Sequence, residues 1–225
     1  MSFGSTIHNT LYKFLTLGIT TELPRQIELF TTTKEQPILD LSKLMELYNT
    51  SWIQSGYSTT QESWEKKQHG AELLTIWFES QFQSMSSTPW KLESGFKVPI
   101  DAWEIRGRFD RIDIFPDGTL HIIDYKSGRS SEKNIREYTL QMILYKYASE
   151  IVFDKKVSRS TLYFLEDNIQ VPIEISLAEE QDIMGKIKDA CAAIAHLHWE
   201  ATPARNMCSY CDYANFCPNK ITSLE

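Results

Sequence analysis

The stretch from residue 105 to residue 129, IRGRFDRIDIFPDGTLHIIDYKSGR, constrains the fold more than any other part of the sequence. Apolar and polar residues alternate on both sides of Pro116-Asp117-Gly118, and such alternation predicts two β-strands. The three intervening residues fit a short hairpin turn, with proline at the second turn position and glycine in the left-handed conformation after it. The sequence therefore predicts an antiparallel hairpin of fixed register.

Two aspartates of this hairpin point the same way as the apolar side chains of their strands. If Phe115 pairs with Thr119, the numbers of paired residues sum to 234. Asp110 then lies opposite Asp124, with the two side chains roughly 5 Å apart. Carboxylates so close repel each other, and such a pair persists when it shares a proton, has cations between its members, or holds a metal ion.

Lys126 favours the metal among these alternatives. It lies two residues beyond Asp124, on the same strand face and about 7 Å along the strand. An aspartate followed by Asp-x-Lys is typical of sites that cleave phosphodiesters, where the acids hold a hard divalent cation and the lysine orients a water or stabilises charge on the phosphate. A surface hairpin with scattered charges is the alternative interpretation.

The remaining sequence predicts a mixed α/β domain. Apolar spacing predicts helices over residues 4–16, 40–55, 60–86, 134–152 and 177–198, and further strands over 92–100, 160–165 and 169–175. The buried side of the helix over 60–86 is expected to hold Trp64, Ala71, Leu74, Trp77 and Phe78. A chain of 225 residues with 42% hydrophobic content can bury one good core, or a core plus a small appendage.

The helix that follows the hairpin carries a second candidate group. Its residues Tyr138, Gln141 and Tyr145 form a stripe separate from the apolar face Leu140, Leu144, Tyr147 and Ile151. A glutamine between aromatic residues beside a metal site could contact phosphate and stack on bases. The alternative is an ordinary amphipathic helix with tyrosines at its boundary. Two further residues are ambiguous: His8 alone is more typical of a structural histidine, and the sequence does not decide whether Glu93 supports the site.

Three cysteines near the C-terminus are spaced as C-x2-C-x5-C, at Cys208, Cys211 and Cys217. Thiolates so spaced can face one centre and bind zinc or an iron–sulfur cluster. A fourth ligand is needed, and the other cysteine of the chain, Cys191, shares a helix face with isoleucines and is expected in a core. A zinc-ribbon interaction module completed by Cys191 is a weaker alternative.

Charge and composition limit the partners. The net charge of −7 does not favour nucleic acid, but residues 97–146 hold nine Lys and Arg against eight Asp and Glu, while the remainder holds 14 against 22. The sequence contains no apolar run long enough to cross a bilayer, no signal peptide and no phosphate-binding Gly-x-x-x-x-Gly-Lys-Ser/Thr loop. A cytoplasmic protein without a nucleotide-driven motor of its own is therefore expected.

Five motifs in order resemble those of the RecB-type nucleases of the PD-(D/E)xK superfamily. They are FGSTIHNTL, GRFDRID, IDYKSG, QMILY and CSYCDYANFCP, and together they extend from Phe3 to Pro218. The chain is similar in particular to the nuclease domain at the C-terminus of UvrD-like helicases and in AddB-type subunits. The resemblance implies a restriction-endonuclease-like fold: a mixed sheet core flanked by helices over residues 1–200, a helical insertion over 35–90, and a cysteine-containing tail over 201–225.

The resemblance also implies roles for individual residues. His8, Asp110, Asp124 and the backbone carbonyl of Tyr125 would bind Mg²⁺ or Mn²⁺, which changes the interpretation of His8. Asp110, Asp124 and Lys126 would be catalytic, with Lys126 assisting the attacking water. Gln141 and Tyr145 would line the DNA path. Cys208, Cys211 and Cys217 would be ligands of an iron–sulfur cluster.

Two departures from the family pattern are visible. Phe109 replaces the proline that names the superfamily. The family takes the first cysteine of its [4Fe-4S] cluster from upstream of the histidine motif, and here the chain begins shortly before that motif. We therefore expect an excised domain of a longer helicase-nuclease, with an absent or incomplete cluster. The expected activity is metal-dependent cleavage of DNA, preferably single-stranded, in end processing, recombination or repair, and the alternative is a non-catalytic DNA-binding scaffold of the same fold.

Overall fold

A computed structural model describes residues 2–22, 38–80, 82, 85, 87–197 and 200–221. The helices are α1 (Ser2–Glu22), α2 (Leu41–Ser51), α3 (Thr60–Ser80), α4 (Glu132–Phe153), α5 (Leu177–Ala195) and α6 (Arg205–Cys208). The strands are β1 (Thr88–Ile100), β2 (Trp103–Ile114), β3 (Leu120–Lys126), β4 (Val157–Phe164) and β5 (Ile169–Pro172). The predicted α/β class is confirmed.

The five strands form one mixed sheet in the order β1-β2-β3-β4-β5. Neighbouring strands are antiparallel except β3 and β4, which are parallel. A parallel pair needs a crossover connection, and α4 supplies it. One sheet face packs against α1, α2 and α3 through a buried cluster that includes Ile7, Leu74, Trp77 and Ile123.

The other sheet face packs against α4, through a second buried cluster that includes Val98, Ile112, Ile122 and Met142. Alternate residues of β3 thus enter different cores, since Ile122 belongs to this cluster and Ile123 to the first. Burial on both faces explains why this strand carries apolar residues toward each helical layer, namely Leu120, Ile122, Ile123 and Tyr125. At the end of β3 away from the hairpin turn, Tyr125 belongs to the first cluster and Lys126 bonds Gln141 of α4.

The hairpin turn has the predicted form. Phe115 N donates to Thr119 O at 2.9 Å and Gly118 N donates to Phe115 O at 2.9 Å, while Gly118 has φ +82°. The ladder from Arg111–Ile123 to Ile114–Leu120 keeps the predicted sum of 234. The predicted register is confirmed up to one pair before Asp110 and Asp124.

One predicted helix face is wrong in part and another altogether. On α3, Leu74, Trp77 and Phe78 are buried as predicted, but Trp64 is 57% exposed. On α4, Leu140 and Ile151 are exposed, whereas the buried side holds Met142, Ile143, Tyr145, Ala148 and Ser149. The polar stripe of α4 faces the sheet because its hydrogen-bonding groups find partners there.

The chain divides into two compact units, Met1–Ile183 and Met184–Glu225. The first contains the sheet and α1 to α4. The second contains the end of α5, α6 and the three-cysteine tail. The predicted domain bounds of 1–200 and 201–225 stay a prediction. In the described part of the chain, no helix combines the length and apolarity needed to cross a membrane.

Candidate active site

In β2, the alternation of side chains between the two sheet faces is interrupted at Asp110. Phe109 and Ile112 are both buried in the cluster that packs against α4, although strict alternation puts residues three apart on opposite faces. The pairs Leu92–Arg111 and Ser94–Phe109 of the β1–β2 ladder enclose this point. Between them on β1, Glu93 has φ +44°, an uncommon value for a residue other than glycine. The irregularity places Glu93 and Asp110 side by side.

Helix α1 adds a histidine to these two carboxylates. His8 Nδ1 lies 3.4 Å from Asp110 Oδ1 and 3.7 Å from Glu93 Oε1. Their candidate ligand atoms all lie within 4.8 Å of one another, in a pocket that opens to solvent. One imidazole nitrogen and carboxylate oxygens form a donor set suited to Mg²⁺ or Mn²⁺.

Asp110 is also held by the neighbouring strand. Its Oδ2 accepts a hydrogen bond of 2.9 Å from Tyr125 N, so the carboxylate faces β3 as well as α1. The backbone amide of Tyr125 thus contacts Asp110. The metal-binding role predicted for the carbonyl of Tyr125 stays a prediction. Glu93 is the residue that the sequence left undecided, because its placement depends on a backbone kink that no pattern of residues indicates.

A network of hydrogen-bonded polar side chains surrounds the C-terminal end of β3. Asp124 is 1% exposed, and its Oδ2 lies 2.7 Å from Lys126 Nζ. Gln141 connects three residues: its Oε1 accepts from Lys126 Nζ at 2.8 Å, and its Nε2 donates to Asp124 Oδ1 at 3.2 Å and to Tyr145 Oη at 2.8 Å. The hydroxyl of Tyr145 donates to Arg108 O at 2.6 Å. This network fixes the orientations of the acid and the amine.

The arrangement of one histidine, three carboxylates and a lysine at the end of a hairpin agrees with the family comparison. The sequence matches the PD-(D/E)XK nuclease superfamily over residues 1–218. The chain belongs to this superfamily. No curated protein matches the chain.

Two solved structures resemble this PD-(D/E)XK chain. One is a candidate exonuclease from Eubacterium rectale, with a TM-score of 0.50, 12% identity, and coverage of 82% of this chain and 71% of that one. The other is a protein named SSO0001, with a TM-score of 0.43, 14% identity, and coverage of 99% of this chain and 87% of that one. At such identities the likeness of the first concerns the fold alone.

Asp124 of the candidate site is buried in surroundings that disfavour its charged form. Burial, and then the neighbouring charge of Asp110, raise the pKa of Asp124 to about 6, while Lys126 and His8 act in the opposite direction. Despite its ion pair with Lys126, Oδ2 has no hydrogen-bond partner of good geometry in the described part of the chain. A divalent cation would satisfy this buried oxygen and remove the repulsion from Asp110.

The pKa of His8 is also raised, which in a histidine favours the charged form. Burial lowers the pKa of His8, but the hydrogen bonds and charges of Asp110 and Glu93 outweigh burial and raise it to about 10. The imidazole is therefore protonated at neutral pH in the metal-free protein. A histidine must lose its proton before it can bind a metal.

We expect Mn²⁺ binding to release a proton from His8. Below pH 10 the apparent affinity should rise by up to about tenfold per pH unit, because proton and metal compete for the same nitrogen. Calorimetric titration at pH 7 and 8, in buffers of different ionisation enthalpy, measures the released proton. The His8→Gln variant should bind more weakly and release far less than one proton at pH 7 and 8. Equal heats in all buffers for the wild type would contradict the assignment.

The three tail cysteines line one pocket with Met207 and Tyr210. Cys208 and Cys217 are half-buried and Cys211 is exposed. Among the described residues, their sulfurs do not form a group within 4.8 Å. Cys191 is half-buried on α5 rather than buried in a core, since only Met184 of that helix is buried. The iron–sulfur assignment stays a prediction.

Proposed function

We propose that this chain is a Mg²⁺- or Mn²⁺-dependent deoxyribonuclease. The observation that carries the proposal is the pairing of Asp124 with Lys126 at 2.7 Å beside the His8–Glu93–Asp110 cluster. His8, Asp110, Asp124 and the carbonyl of Tyr125 would bind the metal, and we add Glu93 to this set. When bound, the metal would activate a water and neutralise charge on the scissile phosphate.

The protein residues contribute positioning and charge. Lys126 Nζ is held by both Asp124 and Gln141, so its ammonium keeps one direction and can orient a water or stabilise negative charge on the phosphate. Gln141 and Tyr145 are proposed to border the DNA path. In addition, their hydrogen bonds to Asp124 and Arg108 tie α4 to both strands of the hairpin. A rigid support of this kind preserves the geometry that hydrolysis requires.

Purified protein is expected to cut DNA in the presence of Mg²⁺ or Mn²⁺ and to stop when EDTA is added. The products should carry 5′-phosphate and 3′-hydroxyl ends, which ligation and end-labelling would detect. The Lys156→Ala variant is a suitable active control because this exposed lysine lies at the far end of β3. DNA binding without cleavage under any divalent metal would instead favour a non-catalytic scaffold.

The substrate and context are proposed from the motifs. Because the five motifs resemble those of RecB-type nucleases, we propose single-stranded DNA as the substrate and helicase domains as partners, in DNA end processing, recombination or repair. Cys208, Cys211 and Cys217 would then contribute to a [4Fe-4S] cluster of the larger assembly. The cytoplasm would be the place of action.

A further inference from the structure

The hairpin of β1 and β2 has one buried and one exposed face next to the candidate site. Phe96, Val98 and Phe109 are buried against α4, whereas Lys97, Arg106 and Arg108 on the opposite face are exposed. We call the exposed group Lys97–Arg106–Arg108 the basic ribbon. Its cations lie on the strand segments immediately after Glu93 and before Asp110, so the ribbon begins at the site.

The register concentrates positive charge on this ribbon. Lys97 is the direct partner of Arg106 in the β1–β2 ladder, and Arg108 is the partner of Gly95, which has no side chain. Like charges directly opposite each other in a sheet are destabilising. Lys97 makes no ion pair with any residue that the structure describes. Arg106 and Arg108 each have one acidic neighbour and Lys97 has none among the described residues, so the ribbon keeps exposed positive charge that is available to an anionic ligand in a chain of net charge −7.

The ribbon extends from the place where the metal ligands lie. Arg108 lines the same pocket as His8, Glu93 and Asp110, and its side chain is 67% exposed although its Nε lies 3.1 Å from Glu93 Oε2. Arg106 is two residues further along the same strand face, or about 7 Å away. The cations thus occupy two successive positions outward from the site, with Arg108 first and the Lys97–Arg106 pair beyond it.

We propose that the basic ribbon binds the phosphates of the nucleic-acid strand on one side of the scissile bond. This inference rests on the proposed nuclease function and names the path that the strand takes away from the metal site. Each phosphate that the ribbon neutralises releases counterions, which contributes affinity without selecting a base sequence. Lysine on an edge strand such as β1 can also serve only to prevent aggregation. That role does not require Lys97 and Arg106 to stand opposite each other.

Glu104 competes with a bound phosphate for Arg106 of the ribbon. Its Oε1 lies 2.5 Å from Arg106 Nε, and both side chains are largely exposed. A phosphate that binds Arg106 must displace or share this carboxylate. The Glu104→Gln variant should therefore bind the strand about threefold more tightly, since it removes both a competitor and a repulsive charge.

The test measures binding separately from cleavage. Fluorescence anisotropy with a labelled 20-nucleotide single strand, in EDTA, gives the affinity at several salt concentrations. The double variant Lys97→Gln/Arg106→Gln should bind about tenfold more weakly, and the slope of log K against log salt should become shallower by about 1.4. The control Lys155→Gln/Lys156→Gln removes the same charge at the far end of the sheet and should match the wild type.

The outcomes separate the inference from the proposed function. Any of three results would overturn the proposal that the ribbon binds the strand. They are unchanged affinity and slope in the ribbon variant, equal losses in the ribbon and control variants, and no binding by the wild type. Thermal unfolding of each variant should match the wild type. If the ribbon variant unfolds at a lower temperature, Glu104→Gln takes its place in the binding test. Unchanged affinity of Glu104→Gln would likewise overturn the inference. Failure of the wild type to cleave with Mg²⁺ or Mn²⁺ concerns the nuclease proposal alone.

Discussion

Asp124→Asn is expected to reduce DNA cleavage by at least about a thousandfold while making the metal-free protein more stable. The lost activity would follow from the removal of a proposed metal ligand and of the carboxylate that holds Lys126. The gain in stability has a separate cause. The folded protein raises the pKa of Asp124 to about 6, which means that the charged carboxylate is unfavourable in its buried position beside Asp110.

The sign of the pH dependence follows from this shift. A folded-state pKa above the unfolded value makes protonation of Asp124 favour the folded state, so the contribution of Asp124 is less favourable above pH 6 than below pH 4. An asparagine of the same shape avoids that cost at every pH. The gain in melting temperature for Asp124→Asn, measured in EDTA, should therefore be larger at pH 7.5 than at pH 4.

Two measurements check this prediction together. Cleavage rates with Mg²⁺ or Mn²⁺ should fall for Asp124→Asn and Lys126→Ala but not for Lys156→Ala, which removes one lysine charge outside the site. Thermal unfolding in EDTA should show that the inactive asparagine variant is folded. Near wild-type cleavage by Asp124→Asn would contradict the assigned role of this carboxylate.

Asp113→Ala is expected to destabilise the protein by about 3–5 kcal/mol, because it leaves a buried guanidinium without its counterion. Arg111 is 4% exposed and Asp113 is fully buried. Arg111 Nε donates to Asp113 Oδ1 at 2.6 Å, a second nitrogen donates to Oδ2 at 2.5 Å, and a third contacts Tyr125 Oη at 3.0 Å. Ser87 Oγ adds a further hydrogen bond to the carboxylate.

Urea unfolding of Asp113→Ala and of the exposed control Glu72→Ala measures this difference. The control should change the free energy of unfolding by no more than about 0.5 kcal/mol. The double variant Arg111→Met/Asp113→Leu should recover much of the stability, since it removes both buried charges at once. A small effect of Asp113→Ala would show that water or another group satisfies Arg111.

The β2–β3 hairpin shows which structural features the local sequence can predict. Pro116-Asp117-Gly118 fixed the turn through backbone preferences that act within four residues, and the register followed from it. The alternation of residues then predicted that the two motif aspartates approach each other. On α4 the same kind of reasoning chose the wrong face: the hydrogen bonds of Gln141 and Tyr145 to the sheet outweigh the exposure of Leu140 and Ile151.

The sequence by itself determined the mixed α/β class, the hairpin and its register, because turn chemistry and apolar periodicity are local properties of the chain. Only the tertiary structure decided that Glu93 joins His8 and Asp110, that Arg111 and Asp113 form a buried ion pair, and that Lys97 faces Arg106 on an exposed ribbon. The first depends on a helix distant in sequence and on a left-handed backbone at Glu93, whereas the other two join residues closer in sequence whose burial or exposure the sequence did not indicate. Packing and burial decide such contacts, and they exist only once the helices have been placed on the sheet.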